Sequence, residues 1–348
     1  VSQPLQIDGG RGEGGGQVLR TALALSAATG QPFEITRIRA NRTRPGLRPQ
    51  HVAAVRAAAL ACGARVRGAF DGSPDLRFEP GALEPGEFRF EIATAGAATL
   101  VLQTVLAPLA RAGGASVVEV SGGTHVPRSP SFHYVERHWI PVVERIGLSA
   151  RLELLRAGFY PPGGGSVRAV VAAWSQPAPL VMERRGALLE VRGVSGASRT
   201  RGDVARRQKQ AAEERLWEAR RLPSTWDVLE PTAASPGSFL LVEAVFEEGR
   251  AAFGFVGRRG IRPESLGDLA GRTLLRFLEG AGAVDPHLAD QLATPMALSG
   301  RGGRVTTTEV TLHLETVADV LSRFGVKAVV SGQRGGEGAL EVAPSGLG

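Results

Sequence analysis

The stretch "VLRTALALSAATGQPFEITRI" (residues 18–38) changes its pattern halfway. An apolar helical pattern runs up to Gly30, and a strand pattern carrying Phe33, Ile35 and Ile38 follows. A glycine just past a helix supplies the left-handed cap that ends it. The theme recurs in "HVAAVRAAALACGARVRG" (51–68), "TLVLQTVLAPLARAGGASVVEV" (99–120), "FHYVERHWIPVVERIGLSARLELL" (132–155) and "VADVLSRFGVKAVV" (317–330). Recurring helix–glycine–strand segments specify a layered α/β or α+β fold, with helices packed on sheets. The segments are not similar enough in sequence to prove an internal duplication.

Around residue 184 the texture changes. "MERRGALLEVRGVSGASRTRGDVARRQKQAAEERLWEARR" (182–221) reads as a strand, a loop and a charged helix. "SFLLVEAVFEEGRAAFGFVGRRG" (238–260) reads as a hairpin turning at Glu248-Gly249, and "LGDLAGRTLLRFLEGAG" (266–282) as a further helix. Residues 184–276 are therefore read as a smaller inserted α/β domain, and residues 1–183 with 277–348 as one larger domain. Two domains also suit a chain of 348 residues.

Composition narrows the class. With 43% hydrophobic and 22% charged residues the chain is an ordinary soluble globular protein. No apolar run is long enough to span a bilayer. The N-terminal "VSQPLQIDGG" lacks the basic and apolar regions of a secretory signal. A single cysteine, Cys62, excludes an internal disulfide and a cysteine-rich zinc site. These features predict a cytoplasmic protein with no membrane partner. The net charge is +7, and nearly all the positive charge is arginine, Lys209 and Lys327 being the only lysines. Arginine's planar fork fits phosphate oxygens, so a polyanion such as RNA is one reading. Genome base bias or heat adaptation is the other.

Four segments carry chemistry. "DGGRGEGGGQVLRTALALSAATG" (8–30) is a glycine-rich turn running into a helix, an anion-binding geometry when it is more than a tight loop. It is neither a phosphate-loop nor a dinucleotide fingerprint. Glu13, among the glycines, is placed to hold a hard cation, and Arg20, a turn into the helix, to bind phosphate. "RIRANRTRPGLRPQH" (37–51) holds Arg37, Arg39, Arg42, Arg44 and Arg48 with no acidic residue among them. A strand over 35–39 would set Arg37 and Arg39 on one face, and the mutual repulsion favours a bound anion over an idle basic loop. "SGGTHVPRSPSFHYVERHWIP" (121–141) reads as a pocket-lining loop. Its histidines, His125, His133 and His138, are not at zinc spacing and are taken as mostly structural. In "HLADQLATPMALSG" (287–300), His287, Asp290 and Gln291 share a helix face, which is either solvated or turned to a ligand.

The fifth candidate is His313 in "EVTLHLETVADVLSRFG" (309–325), where an alternating pattern gives way to a helical one. A lone histidine in apolar company is most often a core residue. A neutral imidazole is also a good nucleophile toward phosphorus. Lys209 sits in a charged helix and Lys327 starts a strand, neither in the Lys-x-Asp-Gly setting of nucleic-acid ligases. If this chain carries a nucleotide covalently, a histidine is its bearer.

Together these segments resemble the RNA 3'-terminal phosphate cyclase family over most of the chain. The strongest pieces are "DGGRGEGGGQVLRTALALSAATGQPF", "RIRANRTRPGLRPQH", "LVLQTVLAPL", "VEVSGGT", "GFYPPGGG", "HLADQLATPMAL" and "LHLET". The resemblance implies a large domain of repeated units, each with paired helices on a four-stranded sheet, plus a smaller inserted α/β domain. It implies ATP and a divalent metal, Mg²⁺ or Mn²⁺, used to turn an RNA 3'-phosphate into a 2',3'-cyclic phosphate through a histidine–AMP intermediate. It puts the nucleophile on His313, at the end of a strand, and the metal-linked carboxylate on Glu13. It puts the ATP pocket on Gln103, Pro130 and the run His287, Leu288, Ala289, Asp290 and Gln291, and phosphate contacts on Arg20, Arg39 and Arg42. A homodimer stays open.

Two departures stand out. Glu315, Thr316 and Val317 occupy places where many members have Leu-Thr-Asn, and His125 follows "SGGT" where many have Asp or Asn. One branch of the family has lost the reaction and serves ribosome assembly as an RNA- and protein-binding factor. It lacks the histidine that is present here. An enolpyruvyl transferase on a related fold would leave the ATP-pocket motifs unexplained.

Overall fold

The computed structural model describes residues 3–346, so the first two residues of the N-terminal stretch read above lie outside it. The chain opens with β1 (Leu5–Asp8), α1 (Gly16–Thr29), β2 (Phe33–Thr36), α2 (Pro49–Ala61), β3 (Arg65–Arg67) and β4 (Leu76–Glu79), whose strands lie in the order β1-β2-β4-β3. A second pass gives β5 (Glu87–Glu91), α3 (Ala98–Ala110) and β6 (Ser116–Gly122). A broken helix follows, made of α4 (Phe132–Tyr134), a π turn (Val135–Trp139) and α5 (Ile140–Val143). The pass ends with β7 (Ala150–Arg156) and β8 (Gly165–Val171), in the order β5-β6-β8-β7.

The third pass begins with β9 (Leu180–Met182) and is interrupted. β10 (Leu188–Ser198), α6 (Val204–Arg220), β11 (Thr225–Leu229), β12 (Gly237–Phe246), β13 (Arg250–Val256) and α7 (Pro263–Glu279) intervene, forming their own sheet in the order β11-β10-β12-β13. The pass then resumes with α8 (Pro286–Leu298), β14 (Gly303–Thr307), α9 (Leu312–Arg323), β15 (Ala328–Gly332) and β16 (Gly338–Val342), in the order β9-β14-β16-β15. All three passes share one pattern: the first two strands pair in parallel and the remaining neighbours antiparallel. The parallel pair needs a crossover, and a helix supplies it each time. The repeated unit implied by the family resemblance is thus present three times, with the extra α/β element set inserted in the third.

The helices of the three units pack against one another at the centre: α1 touches α2, α3, α8 and α9. Their composition requires that place. In α3 eleven of thirteen residues are buried, and a helix apolar on every side must lie inside. The sheets lie outside them and alternate, as β6 and β7 do, between a buried and a more exposed face. In the interrupting segment, Leu216, Leu240, Val242, Leu274 and Phe277 make a separate cluster beneath α6 and α7. From the other face of that sheet Phe239, Leu241 and Ala252 join the main core. No helix among the described residues is long and apolar enough to cross a membrane.

Two local expectations are corrected. His313 does not end a strand. Thr311 accepts a hydrogen bond from the Leu314 N–H at 3.1 Å, capping α9, so His313 lies in that helix's first turn. Arg37 and Arg39 do not share a strand face, because β2 stops at Thr36 and both residues take φ of 55° in a tight loop. That loop is held down where Ile38 N–H donates to Pro74 O and Gly46 N–H donates to Ile38 O, each at 2.8 Å.

Candidate active site

A cleft of about 830 Å³ opens between the central helices and the inner side of β13 and α7. That volume suits a small-molecule ligand. Gln17 and Arg20 reach it from α1, Gln103 from α3, His287, Asp290 and Gln291 from α8, and His313 from α9. The loop after β6 contributes Val126 to Ser131, Pro130 among them, and Phe253, Phe255, Ile261 and Leu269 make an apolar wall opposite. Residues nearly three hundred positions apart meet here because the first two units direct one helix each, and the third directs two, toward the same point.

One end of the cleft is cationic. The Glu13 carboxylate, only 6% exposed, contacts the Arg42 guanidinium and lies 3.9 Å from His313 Nε2. It fills space left by the missing side chain of Gly15, where a Cβ would stand 2.1 Å from Glu13 Oε1. Arg20 donates to Gln17 Oε1 at 2.8 Å. Burial lowers its pKa, against the pull of Glu13 and Asp290, so the guanidinium is poorly hydrated and disposed toward an anion. Asp290 moves the opposite way: burial pushes its carboxyl well above the usual range, with Arg20 opposing and Asp285 and Glu13 adding repulsion. In the cleft floor Gln103 Nε2 donates to Gln291 Oε1 at 2.7 Å. Trp139 Nε1 donates to the Gln291 carbonyl at 3.3 Å.

His313 is an exposed side chain at the rim and not the core residue that base expectation favours. Its pKa is lowered, chiefly by desolvation in the cleft; Glu13 pulls it up, and Arg20, His287 and Arg42 push it down. The result is a neutral imidazole in the first turn of a helix whose dipole favours negative charge nearby. An unprotonated nitrogen, flanking arginines, half-buried amides and an apolar wall can together bind a ligand with one planar apolar part and one anionic part, and attack it.

The other candidates divide. The charge repulsion expected among the loop arginines is relieved by carboxylates distant in sequence. Arg37 pairs with Asp8 at 3.1 Å and Arg48 with Asp71 at 3.3 Å, while Arg42 takes Glu13. Arg39 Nη1 is engaged with the carbonyls of Arg44 and Gly46 at 2.7 and 3.0 Å, which shapes the loop. Leu288 and Ala289 are fully buried and lie off the cleft, so those two pack in the core, and of the run only His287, Asp290 and Gln291 line the cleft.

The three histidines of the 121–141 loop are buried. His125 Nε2 and His133 Nδ1 lie 2.9 Å apart, both rings stacked on Phe239, and His138 Nε2 meets Asp285 Oδ2 at 2.7 Å. Sequence reading missed Gln17, His51 and Asp285. His51 accepts the Arg48 N–H on Nδ1 at 3.0 Å, and burial, with Arg20, Arg39 and Arg48 nearby, drops its pKa to about 3. Its place at the end of the arginine stretch was the available signal.

Among the described residues no three His, Cys, Asp or Glu side chains gather as a protein-held metal site. Mg²⁺ is often bound through one or two carboxylates while phosphates and water complete its shell. Glu13 is a single carboxylate donor of that kind, in contact with the Arg42 guanidinium.

The family model described as RNA 3'-terminal phosphate cyclase matches residues 11–330. A protein of that name from Ralstonia nicotianae is 44% identical, covering 92% of this chain and 91% of its own length. Those from Nostoc punctiforme and Thermococcus gammatolerans are 39% and 42% identical, covering 93% and 97% of this chain and 95% and 97% of their own. Among solved structures, the enolpyruvyl transferase NikO from Streptomyces tendae gives a TM-score of 0.39 at 12% identity, covering 100% of this chain and 50% of that one. That likeness is too slight to carry an argument.

Proposed function

Because the chain belongs to the RNA 3'-terminal phosphate cyclase family, we propose that it converts an RNA 3'-phosphate end into a 2',3'-cyclic phosphodiester at the cost of one ATP. The observation that carries the mechanism is His313: a neutral imidazole at a helix N-terminus, 3.9 Å from Glu13 and on the same cleft as Arg20.

In the first step the imidazole nitrogen attacks the α-phosphorus of ATP. A P–N bond forms, the bond to the β-phosphate oxygen breaks, and pyrophosphate leaves. In the second an oxygen of the RNA 3'-phosphate attacks the same phosphorus, and the P–N electrons return to the ring. In the third the 2'-hydroxyl attacks the activated 3'-phosphorus, loses its proton, and AMP departs. Each step replaces a poor leaving group with a good one.

The side chains take roles that follow from their places. Gln103, Pro130, His287, Asp290 and Gln291 would hold the nucleoside, with the aromatic and aliphatic wall of β13 and α7 excluding water. Arg20 and Arg42 would offset charge on the phosphates, and Arg39, which ties the loop of Arg42 together, would add its field. Glu13 would hold a divalent metal that enters with the nucleotide; that ion would supply further neutralisation of phosphate charge. The non-catalytic RNA-binding reading is disfavoured by the relatives' names and by the presence of His313.

The test is direct. Given ATP, Mg²⁺ or Mn²⁺ and an RNA ending in a 3'-phosphate, the terminus should become resistant to phosphatase while AMP and pyrophosphate appear in equal amounts. RNA that is bound but keeps a phosphatase-sensitive end would select the non-catalytic reading.

A further inference from the structure

Glu13 and His313 sit on different units, and one hydroxyl joins them. The Glu13 N–H donates to Thr316 Oγ1 at 3.0 Å across 303 residues of sequence. The same hydroxyl donates its only proton to the Leu312 carbonyl at 2.6 Å, so toward Glu13 it can act only as acceptor. Thr316 is 4% exposed. The loop presses directly on it: Gly12 takes φ of +62°, and a Cβ there would come within 2.3 Å of Thr316 Oγ1. His313 and Thr316 are three residues apart on α9 and therefore on the same side of the helix.

We infer that Thr316 is a positioning residue, whose hydroxyl clasps the glycine-rich turn to the first turn of α9 and so fixes the Glu13 carboxylate relative to the His313 ring. The inference rests on the reading of His313 as nucleophile. A threonine hydroxyl bonded to the carbonyl four residues back is common in helices and by itself means nothing. What distinguishes this one is the second bond, which reaches another unit at the residue next to the reacting group. Glu13 is also held by Arg42, which touches its carboxylate and donates to its backbone carbonyl at 3.0 Å, and by the Gln17 N–H, which donates to Oε1 at 3.4 Å; the Thr316 bond is the tie from its own N–H to the helix that bears His313. A loop freed by even an ångström would misplace the carboxylate, and misplacement of that size can cost on the order of a hundredfold in rate.

The test compares Thr316→Val, which keeps the shape and removes the acceptor, with Thr316→Ser, which keeps the acceptor. At saturating ATP, protein-bound AMP should form at least ~10-fold more slowly in Thr316→Val and within ~3-fold of wild type in Thr316→Ser. Amide exchange over residues 11–17 should quicken in Thr316→Val and not in Thr316→Ser, with both proteins melting near the wild-type temperature. Equal rates and equal exchange in Thr316→Val would overturn the clasp. Serine behaving like valine would also overturn it, because a retained hydroxyl would then not hold the turn. If wild-type protein forms no AMP adduct, the nucleophile reading fails instead, and the exchange comparison still decides whether the clasp exists.

Discussion

Above its ordinary value of 6.5 the His313 imidazole is neutral, and in the cleft that neutrality extends lower. Desolvation lowers the pKa, and of the nearby charges only Glu13 opposes it. Because the attacking form is the unprotonated one, AMP transfer should be level through neutral pH and should decline only when pH falls through the lowered pKa, below 6.5. Single-turnover adduct formation measured from pH 5 to 9 checks this, and a midpoint above 6.5 would contradict it. At this scale the sequence was informative about residue type and silent about partners. Glu13, Arg20 and His313 were legible as a carboxylate among glycines, an arginine in a helix and a lone imidazole. That Arg42 engages Glu13 was not legible, because 29 residues and a loop with left-handed arginines separate them. Exposure was equally hidden: His125, His133 and His138 look no different from His313 in sequence, yet they are buried and His313 is not.

The elements carry the site through their ends. α8 is capped by Asp285, whose carboxylate accepts the N–H groups of His287 and Leu288 at 3.0 Å each and that of Ala252 at 3.2 Å, while paired with His138. One buried side chain therefore caps the helix that presents His287 and Asp290, and ties it to β13 and to the π turn. Burial would raise the Asp285 pKa, but the bond from His138 and the other donors win and hold it below its ordinary value. Removing one partner of such a buried pair costs about 3–5 kcal/mol. Asp285→Ala should lose about that much in urea unfolding, and a loss under ~1 kcal/mol would show the network to be idle. Element type was readable from periodicity and glycine caps for most of the chain. The start of α9 was misread because Glu309 to His313 alternates as a strand would, while the capping threonine that decides the matter lies inside that alternation. The turn at 37–39 was misread because nothing in single-residue propensity announces an arginine with positive φ.

The whole molecule is one strand–helix pattern used three times, with a fourth sheet let into the third use. Its recurrence was visible in sequence, but its count was not. The units share topology without shared sequence, and the third is split between Met182 and Pro286. The cleft exists only at this scale. Each unit contributes a helix, the inserted sheet contributes a wall, and residues from Glu13 to His313 converge where no local window of sequence would join them. The resemblance to known cyclases supplied that convergence before the fold did, since the spacing of short motifs preserves what the fold brings together. The central claim is that His313 carries AMP. Incubation with α-labelled ATP and Mg²⁺ or Mn²⁺, followed by denaturation, should leave acid-labile, alkali-stable label on wild-type protein and on His287→Ala, and none on folded His313→Ala. Label persisting on His313→Ala would contradict the account.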